Sequence, residues 1–341
     1  LYLWKGKELL ISKKKTKIGI IGAGAWGTAL SNILAKNQNV ILWAKEKNVC
    51  DNINKNHENK RFLPKIKLSK KINCTTEIND ISDCDILFLV IPVQYLSSVL
   101  GKLKNSINTK TIFVCCSKGL EMSSLKLPSQ IVSSIFPKNK IAIISGPNFA
   151  AEIARGLPAA TVVASKNEEV SKKIANLIKS PTLRPYLSND IIGSQIAGAL
   201  KNIYAIASGI VVGKKYGENA VASIISRSFA EITTVAKSMD AKKSTLAGLS
   251  GMGDLFLTCS SKESRNFSLG IDLAKGKTLN EIIQKKFSIA EGAFTVRALK
   301  KLADKEKLDL PINEAVYRVL YRKKNIDSAI QELLNRPITK E

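Results

Sequence analysis

The chain has 341 residues, 45% of them hydrophobic, and a mean hydropathy of zero, enough apolar material for a full core and a length that favours two domains. Its 53 Lys and Arg against 28 Asp and Glu give a net charge of +25, yet the basic residues are spread along the chain without aromatic interleaving, which argues against a nucleic-acid partner. No apolar run is read as a bilayer span, and six cysteines without CxxC spacing beside a single histidine exclude a zinc site and point to reduced, buried thiols in a cytoplasmic protein.

Residues 1–16 form a basic extension, with Lys13, Lys14 and Lys15 in a row, no secretory pattern and no assigned role. Ile18–Ile21 is then a short β-branched run followed directly by Gly22-Ala23-Gly24-Ala25-Trp26-Gly27. Trp26, Leu30, Ile33 and Leu34 give the next segment an apolar helical face, and a second strand follows at Val40–Trp43. GxGxxG alone is a weak signal. Between a strand and a helix it is the dinucleotide turn, in which Gly22 permits the turn, Gly24 admits the pyrophosphate and Gly27 lets the helix pack on the strand. An acid after the second strand would favour NAD and a base NADP; Lys45 and Glu46 stand there together and leave both open.

The polar stretch Asn52 to Arg61, with His57, is expected to be an exposed loop. Ile86–Ile91, Thr111–Cys115 and Lys140–Ile144 continue the series of buried parallel strands, while Thr161–Ala164 and Leu183–Leu187 suggest a smaller antiparallel piece. From Asp190 onward the period changes. Ile192, Ile196, Leu200, Ile203, Ala207 and Ile210 recur at helical spacing, with glycine turns at Gly248, Gly251 and Gly253 and a loop from Cys259 to Asn266. The expected architecture is α/β: a Rossmann-like doubly wound sheet over residues 17–190, then an all-helical domain over residues 191–341.

Lys201 is the one charged residue between Asp190 and Lys214. Burial would lower its pKa toward the working range of a general base, whereas a snorkelling lysine or a structural ion pair would explain the pattern equally well. Lys118 follows a strand, as does Gly146-Pro147-Asn148-Phe149-Ala150, where doubly wound sheets place ligand loops. Asp254 stands on a glycine-rich turn, and Ser264-Arg265-Asn266 offers a guanidinium and an amide to a phosphate.

With GAGAWGTAL (Gly22–Leu30), SKGLE (Ser117–Glu121), SGPNFAAEIA (Ser145–Ala154), GALKN (Gly198–Asn202), GLSGMGD (Gly248–Asp254), SRN (Ser264–Asn266) and AEG (Ala290–Gly292) in order, the chain resembles bacterial-type NAD(P)-dependent glycerol-3-phosphate dehydrogenases from about Lys17 to Ala329. The resemblance implies reversible reduction of dihydroxyacetone phosphate to sn-glycerol 3-phosphate for phospholipid synthesis. It implies Lys201 as proton acceptor and donor, Lys118 touching cofactor and substrate, and Asp254 positioning the substrate. Gly146, Asn148, Ser264, Arg265 and Asn266 would complete the substrate site. Ala25, Trp26, Lys45, Phe62, Ala150, Arg265, Ile289 and Glu291 would join Gly22, Gly24 and Gly27 at the NAD or NADP. Ala25 and Asn148 depart from the residues usual there. A homodimer is the expected assembly. A related hydroxy-acid dehydrogenase would need a carboxylate clamp in place of the phosphate group's partners, and a retired fold that only senses dinucleotide or binds nucleic acid would lack a catalytic group.

Overall fold

The structure, a computed structural model, describes residues 16–285 and 291–338. Ten strands occur in it: β1 (Ile18–Ile21), β2 (Val40–Trp43), β3 (Glu58–Asn59), β4 (Leu63–Lys67), β5 (Ile72–Thr75), β6 (Ile86–Leu89), β7 (Ile112–Cys115), β8 (Ile141–Ser145), β9 (Ala159–Ala164) and β10 (Leu183–Ser188). Six helices alternate with them: α1 (Ala25–Leu34), α2 (Lys47–Asn56), α3 (Leu96–Lys102), α4 (Pro128–Ile135), α5 (Ala150–Ala154) and α6 (Glu168–Ile178). Eight strands form one sheet in the order β10-β9-β8-β7-β6-β1-β2-β5, parallel except where β9 runs against β8. Chain direction along the sheet reverses between β1 and β6, which puts the glycine turn at the switch point where such sheets bind ligands.

Every residue of β1, β6 and β7 is buried, as a strand covered by helices on both faces requires. β2 is not: Ile41 and Trp43 are half-buried, and the Trp43 indole donates to the Thr76 carbonyl at 2.9 Å. The expected separate antiparallel piece is also corrected. β9 pairs antiparallel with β8 and parallel with β10, so both extend the main sheet. Nor is 52–61 an exposed loop. α2 runs to Asn56, His57 closes it in the left-handed conformation (φ 53°) and is half-buried, and β3 opens a hairpin with β4.

The remaining helices are α7 (Ile191–Gly213), α8 (Glu218–Ser238), α9 (Lys243–Leu246), α10 (Asp254–Ser260), α11 (Arg265–Ala274), α12 (Leu279–Lys285), α13 (Glu291–Glu306), α14 (Pro311–Tyr321) and α15 (Ile326–Leu334). As the change of period predicts, no strand occurs among the described residues beyond β10. α7 starts where the Asp190 carboxylate accepts from the Gly193 amide at 2.8 Å, an N-cap that satisfies an otherwise orphaned donor. At 23 residues, α7 is long and apolar enough to cross a membrane by length and composition, contrary to the sequence expectation. In the fold it is the axis of the core, with 89% of its most apolar stretch buried. Gly209 and Gly270 let α7 and α11 approach backbone to backbone, since a Cβ on either would meet the other helix within 2.1 Å.

Candidate active site

Three loops leave the carboxyl ends of β1, β7 and β8 on one side of the sheet, and α7 and α10 close over them. Lys118, three residues beyond β7, donates from Nζ to the Gly146 carbonyl at 3.1 Å and to Asp254 Oδ2 at 2.6 Å. Lys201, mid-way along α7, donates to Asp254 Oδ1 at 2.5 Å and to Thr258 Oγ1 at 2.8 Å. One fully buried carboxylate therefore holds two ammonium groups that arrive from opposite halves of the fold. Gly198 borders the cluster on the α7 side. A Cβ there would sit 3.0 Å from Ser145 Oγ, 3.5 Å from Lys118 Cδ and 3.7 Å from Asp254 Oδ2.

Burial is the largest influence on Lys201 and lowers its pKa. The Asp254 charge raises it, Lys118 lowers it, and the balance falls at about 8 against an ordinary 10.5. The snorkelling alternative is thereby set aside, while the ion-pair alternative is present together with a tuned amine. Thr258 was not singled out from the sequence, although its spacing of four from Asp254 puts both on one helix face. Its hydroxyl donates to the Asp254 carbonyl at 2.6 Å and so can only accept from Lys201. With two of its protons committed, the protonated Lys201 amine has one left for a ligand.

Asp254 does not stand on a glycine-rich turn as expected. Leu249–Gly253 is a π-helical turn that runs straight into α10, with Asp254 its first residue. Likewise Cys259 lies within α10 and Arg265 begins α11, so only residues 261–264 are loop. Ser264 is the N-cap of α11 and accepts from the Phe267 amide at 3.3 Å. Arg265 is exposed just beyond it. The Asn266 amide donates to Asn202 Oδ1 and accepts from the Gly292 amide, both at 3.0 Å, which ties α11 to α7 and α13. Burial pushes the Glu291 carboxyl up, opposed by the charges of Arg265, Lys201 and Lys118. Asn148 is spent on the scaffold: Oδ1 accepts from Thr161 Oγ1 at 2.8 Å and Nδ2 donates to the Pro147 and Ala160 carbonyls.

The glycine turn fits a dinucleotide. Gly22 has φ +118°, and a Cβ on Gly27 would lie 1.8 Å from the Gly22 carbonyl oxygen. A Cβ on Gly24 would meet nothing within 4 Å, so the turn is open there to an approaching phosphate. Trp26 and Phe62 pack partly buried against the sheet core, and Ala150 is the first residue of α5. Lys45 is exposed past β2, while the Glu46 carboxylate lies 4.0 Å from Arg61, whose guanidinium sits 5.0 Å over the Phe62 ring. Ile289, Ala290 and the extension up to Lys15 lie outside the described residues. Two cavities of about 280 and 410 Å³ at the far end of the helical half are lined by none of the residues singled out from the sequence.

Residues 17–171 match the model of the NAD-dependent glycerol-3-phosphate dehydrogenase N-terminus and residues 190–331 that of its C-terminus. Among curated relatives, a glycerol-3-phosphate dehydrogenase [NAD(P)+] of Parvibaculum lavamentivorans is 43% identical over 95% of this chain and 98% of its own length. One of Caulobacter vibrioides is 44% identical over the same shares. The crystal structure of glycerol-3-phosphate dehydrogenase from Coxiella burnetii superposes with a TM-score of 0.91 at 34% identity, covering 94% of this chain and 99% of that one.

Proposed function

Because the chain belongs to the NAD-dependent glycerol-3-phosphate dehydrogenase family, it is an NAD(P)-dependent oxidoreductase that interconverts dihydroxyacetone phosphate and sn-glycerol 3-phosphate, and we propose that Lys201 is its general acid and base. The observation that carries this assignment is the Lys201–Asp254–Lys118 cluster, with one buried carboxylate between two lysines at 2.5 and 2.6 Å.

When bound, the nicotinamide supplies or accepts the hydride at C2. In the reductive direction protonated Lys201 gives a proton to the C2 oxygen, and Lys118 faces the same oxygen as a second donor to the charge that develops there. In the oxidative direction neutral Lys201 takes that proton back, which a pKa of about 8 permits near neutral pH. Asp254 holds both amines on the two oxygens of one carboxylate. Arg265, at the exposed start of α11, holds the phosphate and so orients the triose. Ser264 and Asn266 set the place of Arg265 through the cap and the link to Asn202 and Gly292. Gly146 and Asn148 form the floor of the substrate site, Asn148 by holding the loop to β9. Gly22, Gly24, Ala25, Trp26, Gly27, Lys45, Phe62, Ala150 and Glu291 would line the cofactor's path; Ile289, expected at the cofactor too, lies outside the described residues.

The dinucleotide half is proposed to span residues 17–190 and the helical half 191–341, divided at the Asp190 cap. The six cysteines are buried and free of disulfides, which suits a reducing compartment and supports a cytoplasmic location. A homodimer is proposed; exposed Tyr186 and Leu187 on the edge strand β10 support it. Initial rates with dihydroxyacetone phosphate and with a pyruvate-like ketoacid, each with NADH and NADPH, test the whole reading. Turnover of the ketoacid alone would overturn it.

A further inference from the structure

Asn59 is 1% exposed, although it lies on the hairpin β3–β4, whose next residues Lys60 and Arg61 are exposed. A buried amide is costly unless its polar atoms are paired, and here each one is. Nδ2 donates to the Ala23 carbonyl and to Thr28 Oγ1, both at 2.8 Å, and Oδ1 accepts from the Phe62 amide at 3.1 Å. The Thr28 hydroxyl in turn donates to the Ala23 carbonyl at 3.3 Å, which closes a triangle with two donors on that one oxygen.

Ala23 is the residue between the first two glycines of the turn. In a trans peptide the carbonyl and the following N–H point opposite ways. Holding the Ala23 oxygen toward the hairpin therefore turns the Gly24 N–H away from it. The same amide fixes the backbone of Phe62 and thereby the stacked Arg61–Phe62 pair. We infer that Asn59 is the positioning residue of the dinucleotide site, orienting the glycine turn toward the pyrophosphate and setting the hairpin against it. The inference rests on the proposed placement of the cofactor at Gly22–Gly27.

Its effect is local. The hairpin is tied to α1 and α2 by independent bonds, from Asn32 Nδ2 to the Lys67 carbonyl, from the Ser69 amide to Asn32 Oδ1 and from the Leu68 amide to the His57 carbonyl. The turn is also anchored from its other side, by the Gly22 amide on the Trp43 carbonyl at 3.0 Å. Replacing Asn59 thus leaves the elements docked and releases the orientation.

The test uses the full chain in steady-state reduction of dihydroxyacetone phosphate. Saturable, dinucleotide-dependent turnover of the unaltered enzyme checks the underlying reading separately. Asn59→Ala is expected to raise KM for the dinucleotide about tenfold, from the loss of buried hydrogen bonds. The Ki of ADP as a competitor should rise by a similar factor, while kcat at saturating dinucleotide and KM for the triose phosphate stay within about twofold. Thr28→Val should produce the same split, and the double variant should fall short of the product of the two single effects, as members of one network do. Unchanged dinucleotide KM and ADP Ki in folded Asn59→Ala overturn the inference. A uniform loss in kcat and both KM values with a lower Tm does so too. If Asn59→Ala does not fold, an unchanged dinucleotide KM in Thr28→Val is equally decisive.

Discussion

Lys201 and Asp254 stand 53 positions apart in the chain and meet Nζ to Oδ1 at 2.5 Å, with the carboxylate wholly out of solvent. A buried pair of this kind is weak evidence of stability, because desolvation offsets much of the attraction. Its value lies in the amine. Burial lowers the Lys201 pKa from its ordinary 10.5 and Asp254 pulls it back up, and the balance falls at about 8.

Lys201→Ala should lower kcat by roughly 10²- to 10⁴-fold, the range of a lost general acid or base. Dinucleotide binding, followed by nicotinamide fluorescence, should survive, since no contact of Lys201 reaches the glycine turn. Turnover within a few-fold of the unaltered enzyme would remove the residue from the chemistry.

The direction of the pH dependence follows from the same amine. Oxidation of glycerol 3-phosphate needs Lys201 neutral, so its kcat should rise as pH passes about 8; reduction needs it charged and should fall there. Opposite limbs in the two directions, absent in Lys201→Arg, are the measurement. Limbs of the same sense would exclude Lys201 as the titrating group.

Asp254→Asn separates positioning from charge. Asp254 raises the Lys201 pKa, so its neutral replacement should move the oxidative limb below pH 8. It also leaves two lysine ammonium groups side by side in a buried site, and breaking such pairs costs about 3–5 kcal/mol of stability. Urea unfolding together with the pH profile reads both, and a limb that stays in place would show that Asp254 does not set the amine.

How much of this could be seen in the chain alone depends on the range of the interaction. β1, the glycine turn and α1 were legible because their signals are local: a β-branched run, glycines at fixed offsets and an apolar period. Lys201 was legible as an anomaly, a lone charge in an apolar helix, and Asp254 as a candidate acid, although their pairing was not. Asp254 looked like part of a turn because Gly251 and Gly253 favour turns. Gly251 is in fact there for packing, since a Cβ on it would lie 1.8 Å from the Leu246 carbonyl oxygen. His57 and Asn59 sat in a polar stretch read as loop, and only tertiary contacts to Ala23 and Thr28 bury that amide. The π-helical turn and the joining of β9 to β8 rest on backbone pairing that local composition does not encode.

Arg265→Ala should raise KM for dihydroxyacetone phosphate about 10- to 100-fold, the worth of a charge-assisted hydrogen bond to phosphate. The ratio of kcat/KM between dihydroxyacetone phosphate and unphosphorylated dihydroxyacetone should collapse by the same factor. An intact ratio would place the phosphate elsewhere.

Glu231 carries the last prediction, one about folding. Its carboxylate, on α8 and 5% exposed, accepts from the Ile312 amide at 2.5 Å, the Asn313 amide at 3.2 Å and the Tyr204 hydroxyl at 3.1 Å. It therefore caps α14 and braces α7 three residues beyond Lys201. Burial raises its pKa from 4.5 to about 7, opposed by those three bonds. A carboxyl whose folded pKa is raised contributes stability that is full below 4.5 and lost as pH rises through about 7. The gap corresponds to up to about 3 kcal/mol. Urea midpoints of the unaltered enzyme and Glu231→Gln should accordingly diverge with pH, with the variant gaining relative stability between pH 5 and pH 8. A difference that does not vary over this window would mean that the carboxyl stays ionised throughout and that the caps on α14 outweigh its burial.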